Sequence, residues 1–228
     1  MTHEASKTRS VRSTDFDVTY LSGRVIDIGC GQDLVVPHAE PFDLIHGDAQ
    51  QIGMLRPSLA YDTVYSSHCL EHMKDVPAAL SQWWTLVKPG GFLIVVVPDE
   101  DLYEQGGWPS LFNRDHKATF RIAKDTTWSP VSYDISALVR TLAAAEVISC
   151  IRQDAHYERA RMKSRLSRLD RCLFEIQRLT KAVFRPLGRL GTSLDALASK
   201  VFVSLGTPID QTAGSALAQI QVIARKRL

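Results

Sequence analysis

Residues Val25–Gly31 read VIDIGCG, with Asp33 close behind. Alternating apolar and small residues run into an acid, Asp27, and then into two glycines one residue apart, Gly29 and Gly31. A buried parallel strand ends this way when its turn must pass close to a bound molecule. Glycine accepts backbone angles that a Cβ forbids, and it leaves room for the ligand. A lone Gly-x-Gly admits a dinucleotide, a flavin or no ligand. Here the third glycine of the dinucleotide fingerprint is missing, because Gln32, Asp33 and Leu34 come next. A pyrophosphate would be repelled by Asp27, whereas a ligand with an ammonium group would be drawn to it.

The elements that must hold this turn alternate in type. Arg24–Ile28, Pro41–Ile45 and Tyr61–Ser66 read as short strands. Val76–Val87 reads as a helix, with Pro77 in its first turn and Ala79, Leu80, Trp83 and Trp84 at helical spacing. Trp83 and Trp84 are expected as core and sheet cover. Lys88-Pro89-Gly90-Gly91 breaks the helix, and the continuous apolar run Phe92–Val97 suits a strand covered on both faces. Ser136–Ala145 is helical, Glu146–Arg152 returns as a strand, and Leu217–Ala224 closes the chain. The expected fold is α/β: a mostly parallel, Rossmann-like sheet with flanking helices.

Between the last two strands, from Tyr157 to about Leu190, runs a long amphipathic helical pattern carrying ten basic residues against three acidic. Pro186 and Gly188 should kink or end it. The expected organisation is a flexible segment over 1–20, ordered only when something docks it, then one domain over 21–228 with a basic helical insertion at about 157–206.

Composition narrows the class further. The 228 residues are 45% apolar and 23% charged, with a net charge of +2, so the chain as a whole is not a polyanion binder. Cys30, Cys69, Cys150 and Cys172 are far apart and make no metal-ligand spacing, so neither a disulfide framework nor a metal site is expected, and a reducing, cytoplasmic compartment is the simpler reading. The polar N-terminus is no secretory signal, and no stretch approaches the roughly 20 apolar residues of a membrane span.

Four motifs in order now resemble the class I S-adenosylmethionine-dependent methyltransferases. VIDIGCGQD is similar to their first motif and HGDAQQI (46–52) to their adenine-contacting Asp-Ala motif. YDTVYSSHCLEHMKD (61–75) resembles the fourth strand and following helix of the subgroup with a Leu-Glu-His signature. LVKPGGFLIVVVP (86–98) resembles the Lys-Pro-Gly-Gly turn and fifth strand. The stretch 99–120 is more loosely similar to a subgroup found among cell-envelope polysaccharide enzymes.

The resemblance implies S-adenosylmethionine as cofactor. Gly29, Cys30 and Gly31 would approach its methionine part and ribose, and Asp27 its amino group. Asp43 would take both ribose hydroxyls. It arrives only 12 residues after Gly31, where the usual interval is about 20, so the first half of the fold is compressed and Asp48 is an alternative ribose ligand. Otherwise Asp48 and Ala49 would meet the adenine. Ser66, Ser67 and His68 follow the strand that faces the sulfonium. An oxygen nucleophile needs a proton acceptor, for which His116 is the first candidate and His68 the second. Trp108, Tyr103 and Trp128 would supply a ring-stacking surface or pin a long loop.

The expected reaction is O-methylation of a sugar or glycan precursor. Lipid, protein and other small-molecule acceptors stay open, as does a catalytically degenerate partner subunit. Nucleic acid is disfavoured because the basic helix lacks interleaved aromatics. That helix is instead expected to pack on the sheet or a twin subunit, or to touch an acidic membrane surface.

Overall fold

The computed structural model describes residues 4–228. Its strands are β1 (Val25–Ile28), β2 (Glu40–Phe42), β3 (Tyr61–Ser67), β4 (Val87–Pro98), β5 (Thr119–Arg121), β6 (Ser132–Asp134), β7 (Ala145–Gln153) and β8 (Gln219–Lys226). The α-helices are α1 (Glu4–Arg9), α2 (Phe16–Tyr20), α3 (Val76–Leu86), α4 (Ile135–Arg140), α5 (Arg168–Phe184) and α6 (Gly188–Ser204). Six strands form one sheet in the order β2-β1-β3-β4-β8-β7. β1 to β4 pair in parallel, while β8 runs antiparallel to both β4 and β7. The sheet is therefore mostly parallel, as the alternation of elements predicts. β5 and β6 form a separate two-stranded ribbon.

All four residues of β1 are buried, as a strand covered on both faces requires. On one face, α3 and α4 cover Ile26, Val64, Leu93 and Val222. Asp75 caps α3 by accepting from the Ala78 N–H at 3.0 Å. Trp83 donates to the Ala49 carbonyl and Trp84 to the Ala143 carbonyl, each at 2.9 Å, so both indoles cover the sheet with their polar ends satisfied. On the other face, Phe16, Leu21, Val35, Val36 and Ala39 pack against Tyr65, Ile94 and Val96.

That second face explains the compression. Between Ile28 and Glu40 the chain makes no helix, and Val35, Val36 and Ala39 cover the sheet from an irregular loop. The second strand is also shorter than expected. β2 stops at Phe42, and Leu44–His46 turns as a 3-10 helix with Leu44 and Ile45 exposed. β4 starts earlier than the Lys-Pro-Gly-Gly break suggests. The break persists inside it as an irregularity of register opposite Tyr61–Thr63, with Gly90 at φ +80°.

From Glu4 onward, the N-terminal segment, expected to order only on docking, is docked on its own chain. Thr8 accepts from the Gln219 side chain at 3.0 Å, and the Arg12 guanidinium bonds Tyr65 Oη at 3.2 Å beside Asp17. The basic pattern from Tyr157 becomes regular α-helix only at Arg168, after a short 3-10 turn, Arg159–Arg161. A 3-10 turn at Arg185–Leu187, holding Pro186, separates α5 from α6. Among the described residues, no helix is long and apolar enough to cross a membrane.

Candidate cofactor and acceptor site

The parallel strands β1, β2 and β3 end side by side, and a cavity of about 680 Å³ opens over those ends. Gly29, Asp43, Asp48, Ala49, His68 and His72 are among the residues that line it. A recess of about 110 Å³ shares Gly29 and His68 with the cavity and adds Asp27, Cys30, Gly31 and Ser67. Open α/β sheets bind ligands at such strand ends.

The glycine turn is shaped by both glycines, for different reasons. Gly29 has φ +78°, and a Cβ there would fall 2.5 Å from Cys69 Cβ, so this position must stay small for the turn to press on the chain after β3. Gly31 has φ +54°, and a Cβ there would meet nothing within 4 Å. Its side is open towards the recess.

Asp43 stands at the end of β2. One carboxylate oxygen accepts from the Gly31 N–H and the other from the Leu44 N–H, both at 2.7 Å. Each oxygen has a second lone pair left for a ligand. Asp48 lies on the same cavity, where its carboxylate also accepts from the Gln50 N–H at 2.8 Å. The short interval after Gly31 reflects the lack of a helix between β1 and β2.

Asp27 is buried and accepts from the Val35 N–H at 2.7 Å. Burial pushes its carboxyl up to about 7, against the pull of that N–H and of Arg12, and with help from Asp33 and Asp43. Cys30 borders the recess, with its thiol pushed up to about 11, chiefly by burial. A thiol so protonated is a small apolar wall and not a nucleophile.

Ser66 is not at the cavity. It is fully buried and donates to the Ile28 carbonyl at 3.0 Å, tying β3 to β1. Its expected cofactor contact gives way to this interstrand tie. Ser67, pointing to the other face of the strand, borders the recess.

His68 has φ +53°, a left-handed conformation that costs a non-glycine residue energy, and it borders both cavity and recess. Its Nε2 lies 2.9 Å from Gln219 Oε1 and its Nδ1 lies 3.4 Å from Glu71 Oε1. Burial disfavours its charge, yet Glu71, Glu4 and Gln219 outweigh that and push it up to about 9.

His116 is buried, with Nδ1 2.8 Å from Glu104 Oε1, and it stacks on Tyr103 with ring centroids 5.2 Å apart. It does not border the cavity; His72, edge-on to it at 5.1 Å, stands in front. His72, Asp115 and Lys117 are cavity residues that sequence reasoning did not single out as site residues. The Leu-Glu-His signature was the available signal for His72. Glu4 and Ala5 close the recess, and Ser6 bonds both Asp33 oxygens at 2.8 and 2.6 Å; no sequence signal marked this contact.

A second cavity, about 530 Å³, lies between the loop after β4 and the start of the helical insertion. Trp108, Trp128, Arg165 and Arg171 border it.

A family model for a methyltransferase domain matches residues 13–128. No curated protein matches the chain. Among solved structures, a SAM-dependent methyltransferase from Archaeoglobus fulgidus is 15% identical, with 99% of this chain and 95% of that one covered and a TM-score of 0.48. A SAM-dependent methyltransferase from Thermotoga maritima, a possible histamine N-methyltransferase, is 16% identical, with 99% and 88% covered and a TM-score of 0.48. A phosphoethanolamine N-methyltransferase from Haemonchus contortus, in complex with S-adenosyl-L-methionine, is 13% identical with a TM-score of 0.45; 95% of this chain is covered but only 53% of that one.

Proposed function

The chain belongs to the family of methyltransferase domains, and from that premise we propose that it O-methylates a sugar or glycan precursor. As a methyltransferase of this kind it uses S-adenosylmethionine. When bound, that cofactor supplies a methyl group already activated on a sulfonium.

The residues present fit such a group. The open side of Gly31 leaves space next to the turn. Asp27, buried at the recess, is a partner for an ammonium. Asp43 keeps lone pairs for a pair of hydroxyls at the end of β2, which favours it over Asp48 as the ribose ligand. Asp48 and Ala49 would then border the adenine. His68 borders both spaces, so it would be the histidine that reaches the acceptor. His116 would act from behind His72 by holding the loop that faces the cavity. Methyl transfer asks for little beyond alignment and exclusion of water.

The observation that carries the acceptor class is the second cavity, taken as a subsite for a charged sugar of the glycan away from the hydroxyl that is methylated. Trp108 and Trp128 beside Arg165 and Arg171 suit a sugar ring bearing negative charge. The test uses S-adenosylmethionine labelled in its methyl group, with an envelope glycan fraction as acceptor. Label in an alkali-stable methyl ether of a sugar is the expected result. Label in lipid or protein moves the acceptor to that class. Cofactor binding without any transfer would leave a degenerate partner subunit, and no binding at millimolar cofactor would end the enzyme reading.

A further inference from the structure

Glu71 lies in the 3-10 turn Leu70–His72 that follows β3. Its side chain is 1% exposed, and neither carboxylate oxygen has a hydrogen-bond partner. His68 Nδ1, at 3.4 Å, is within ion-pair distance but outside hydrogen-bond geometry. Burying a carboxylate without full satisfaction is expensive, so a fixed one calls for an explanation.

Two imidazoles stand against it. One donor atom from each of Glu71, His72 and His116 lies within 4.8 Å of the others. The fold builds this meeting from a distance in sequence: the N–H groups of Lys117 and Ala118 both donate to the Glu71 carbonyl, at 2.7 and 3.2 Å, and so pin the loop that carries His116. Each imidazole is also held by its own carboxylate. His72 Nδ1 lies 2.9 Å from Asp115 Oδ2, and His116 Nδ1 lies 2.8 Å from Glu104 Oε1. A carboxylate on Nδ1 fixes the proton there and leaves the lone pair of Nε2 for something else. This is how metal-ligating histidines are oriented.

We propose that Glu71, His72 and His116 bind a divalent first-row transition-metal ion at the wall of the cofactor cavity, and that the ion holds a hydroxyl oxygen of the methyl acceptor. The second half of the proposal rests on the methyltransferase reading. Two imidazoles and one carboxylate suit zinc, manganese, cobalt or iron better than magnesium or calcium, which favour all-oxygen sites. Ligands about 2.0–2.2 Å from one ion stand roughly 3–3.5 Å apart, so from a separation within 4.8 Å each pair of donors closes by no more than about 1.8 Å. His72 is half-buried and borders the cavity, so the positions not taken by protein open there. A hydroxyl bound at such a position gives up its proton to water more readily, and the electron pair stays on the oxygen. Vicinal hydroxyls of a sugar would chelate the ion.

The test is a titration of the metal-free full-length protein with Co²⁺, read by its visible absorption and by equilibrium dialysis. One equivalent per chain is expected. His72→Ala and His116→Ala should each weaken binding at least about tenfold, and Asp115→Asn, changed at an exposed carboxylate, by about 10–100-fold. If His116→Ala does not fold, the His72 and Asp115 variants decide. Absence of Co²⁺ binding at submillimolar metal overturns the site. So does undiminished binding by the variants, or displacement of Co²⁺ by equimolar Mg²⁺. The same samples are titrated with S-adenosylhomocysteine. Cofactor-product binding without Co²⁺ binding sinks only the metal site. Co²⁺ binding without cofactor-product binding sinks the methyltransferase reading and leaves the metal site standing.

Discussion

The Asp43 carboxylate accepts from the backbone N–H of Gly31 at 2.7 Å, so the acid at the end of β2 holds the glycine turn at the end of β1. One side chain thereby shapes the turn and offers its remaining lone pairs to a ligand. Asp43→Ala removes both functions. Hydrogen bonds to a charged group are worth about 1.5–3 kcal/mol each, so S-adenosylhomocysteine affinity should fall by roughly 10–100-fold or more. Asp48→Ala should have a smaller effect, because that acid caps the turn Ala49–Met54. Isothermal titration checks the pair, and a larger loss at Asp48 would reverse the ribose assignment.

The two glycines should fail differently. Gly31→Ala keeps a left-handed residue at about 1–2 kcal/mol of strain, yet its new methyl meets no protein atom. Cofactor-product binding should weaken by more than the loss in thermal stability accounts for. Gly29→Ala puts a methyl against Cys69, so overpacking adds about 1–3 kcal/mol to the strain, and the melting temperature should drop further than for Gly31→Ala. Equal melting temperatures with unchanged binding would remove the close approach from the argument.

The contrast with Glu71 shows how far the sequence was legible. The parallel strands, the helix α3 and the turn Gly29–Gly31 follow from apolar period and glycine placement within short windows. Asp43 was legible as a candidate, but its interval looked wrong because the loop holding Val35 and Val36 does the covering that a helix usually does. The tie of Ser66 to Ile28 was not legible, because strand alternation alone does not say which hydroxyl is taken by the neighbouring strand. The meeting of Glu71 and His72 with His116 was not legible, since the carbonyl of Glu71 gathers a loop more than forty residues on. Ligand spacing along the chain reports only sites made within one turn or loop.

If Asp27 meets the ammonium of the cofactor, as proposed, cofactor binding depends on pH. Its folded value, about 7, lies above the ordinary 3.8, so the ligand-free fold takes up the proton more readily than the unfolded chain. The stability this gives is fully present below about 3.8 and is lost as pH rises through about 7. An ammonium-bearing ligand needs the charged form. Affinity for S-adenosylhomocysteine should therefore fall by up to about tenfold per pH unit below about 7, and binding near neutrality should release a proton. Titration in two buffers of different ionisation enthalpy reads that proton. Asp27→Asn, which still accepts from Val35, should abolish the release, stabilise the ligand-free protein above neutrality and weaken binding. Proton release that persists in this variant would assign the effect elsewhere.

The helical insertion carries a surface of its own. Leu179, Val183, Leu187 and Leu190 are all at least half exposed, so the apolar stripe running from α5 through the turn after it to the start of α6 is not packed on the sheet. Arg178, Lys181, Arg185 and Arg189 are exposed beside it. Arg178 is paired with Glu175 at 3.1 Å, but an apolar stripe flanked by this excess of cations complements an anionic lipid surface, and we propose peripheral membrane contact there. The full-length protein should float with vesicles containing phosphatidylserine and not with neutral ones. Moderate salt should weaken that binding without removing it, because the apolar part is not screened. Leu179→Glu with Val183→Glu should abolish flotation while the melting temperature stays within a few degrees of the parent, since neither side chain is buried. A stable dimer by sedimentation, with no flotation even at low salt, would give this face to a second copy of the chain.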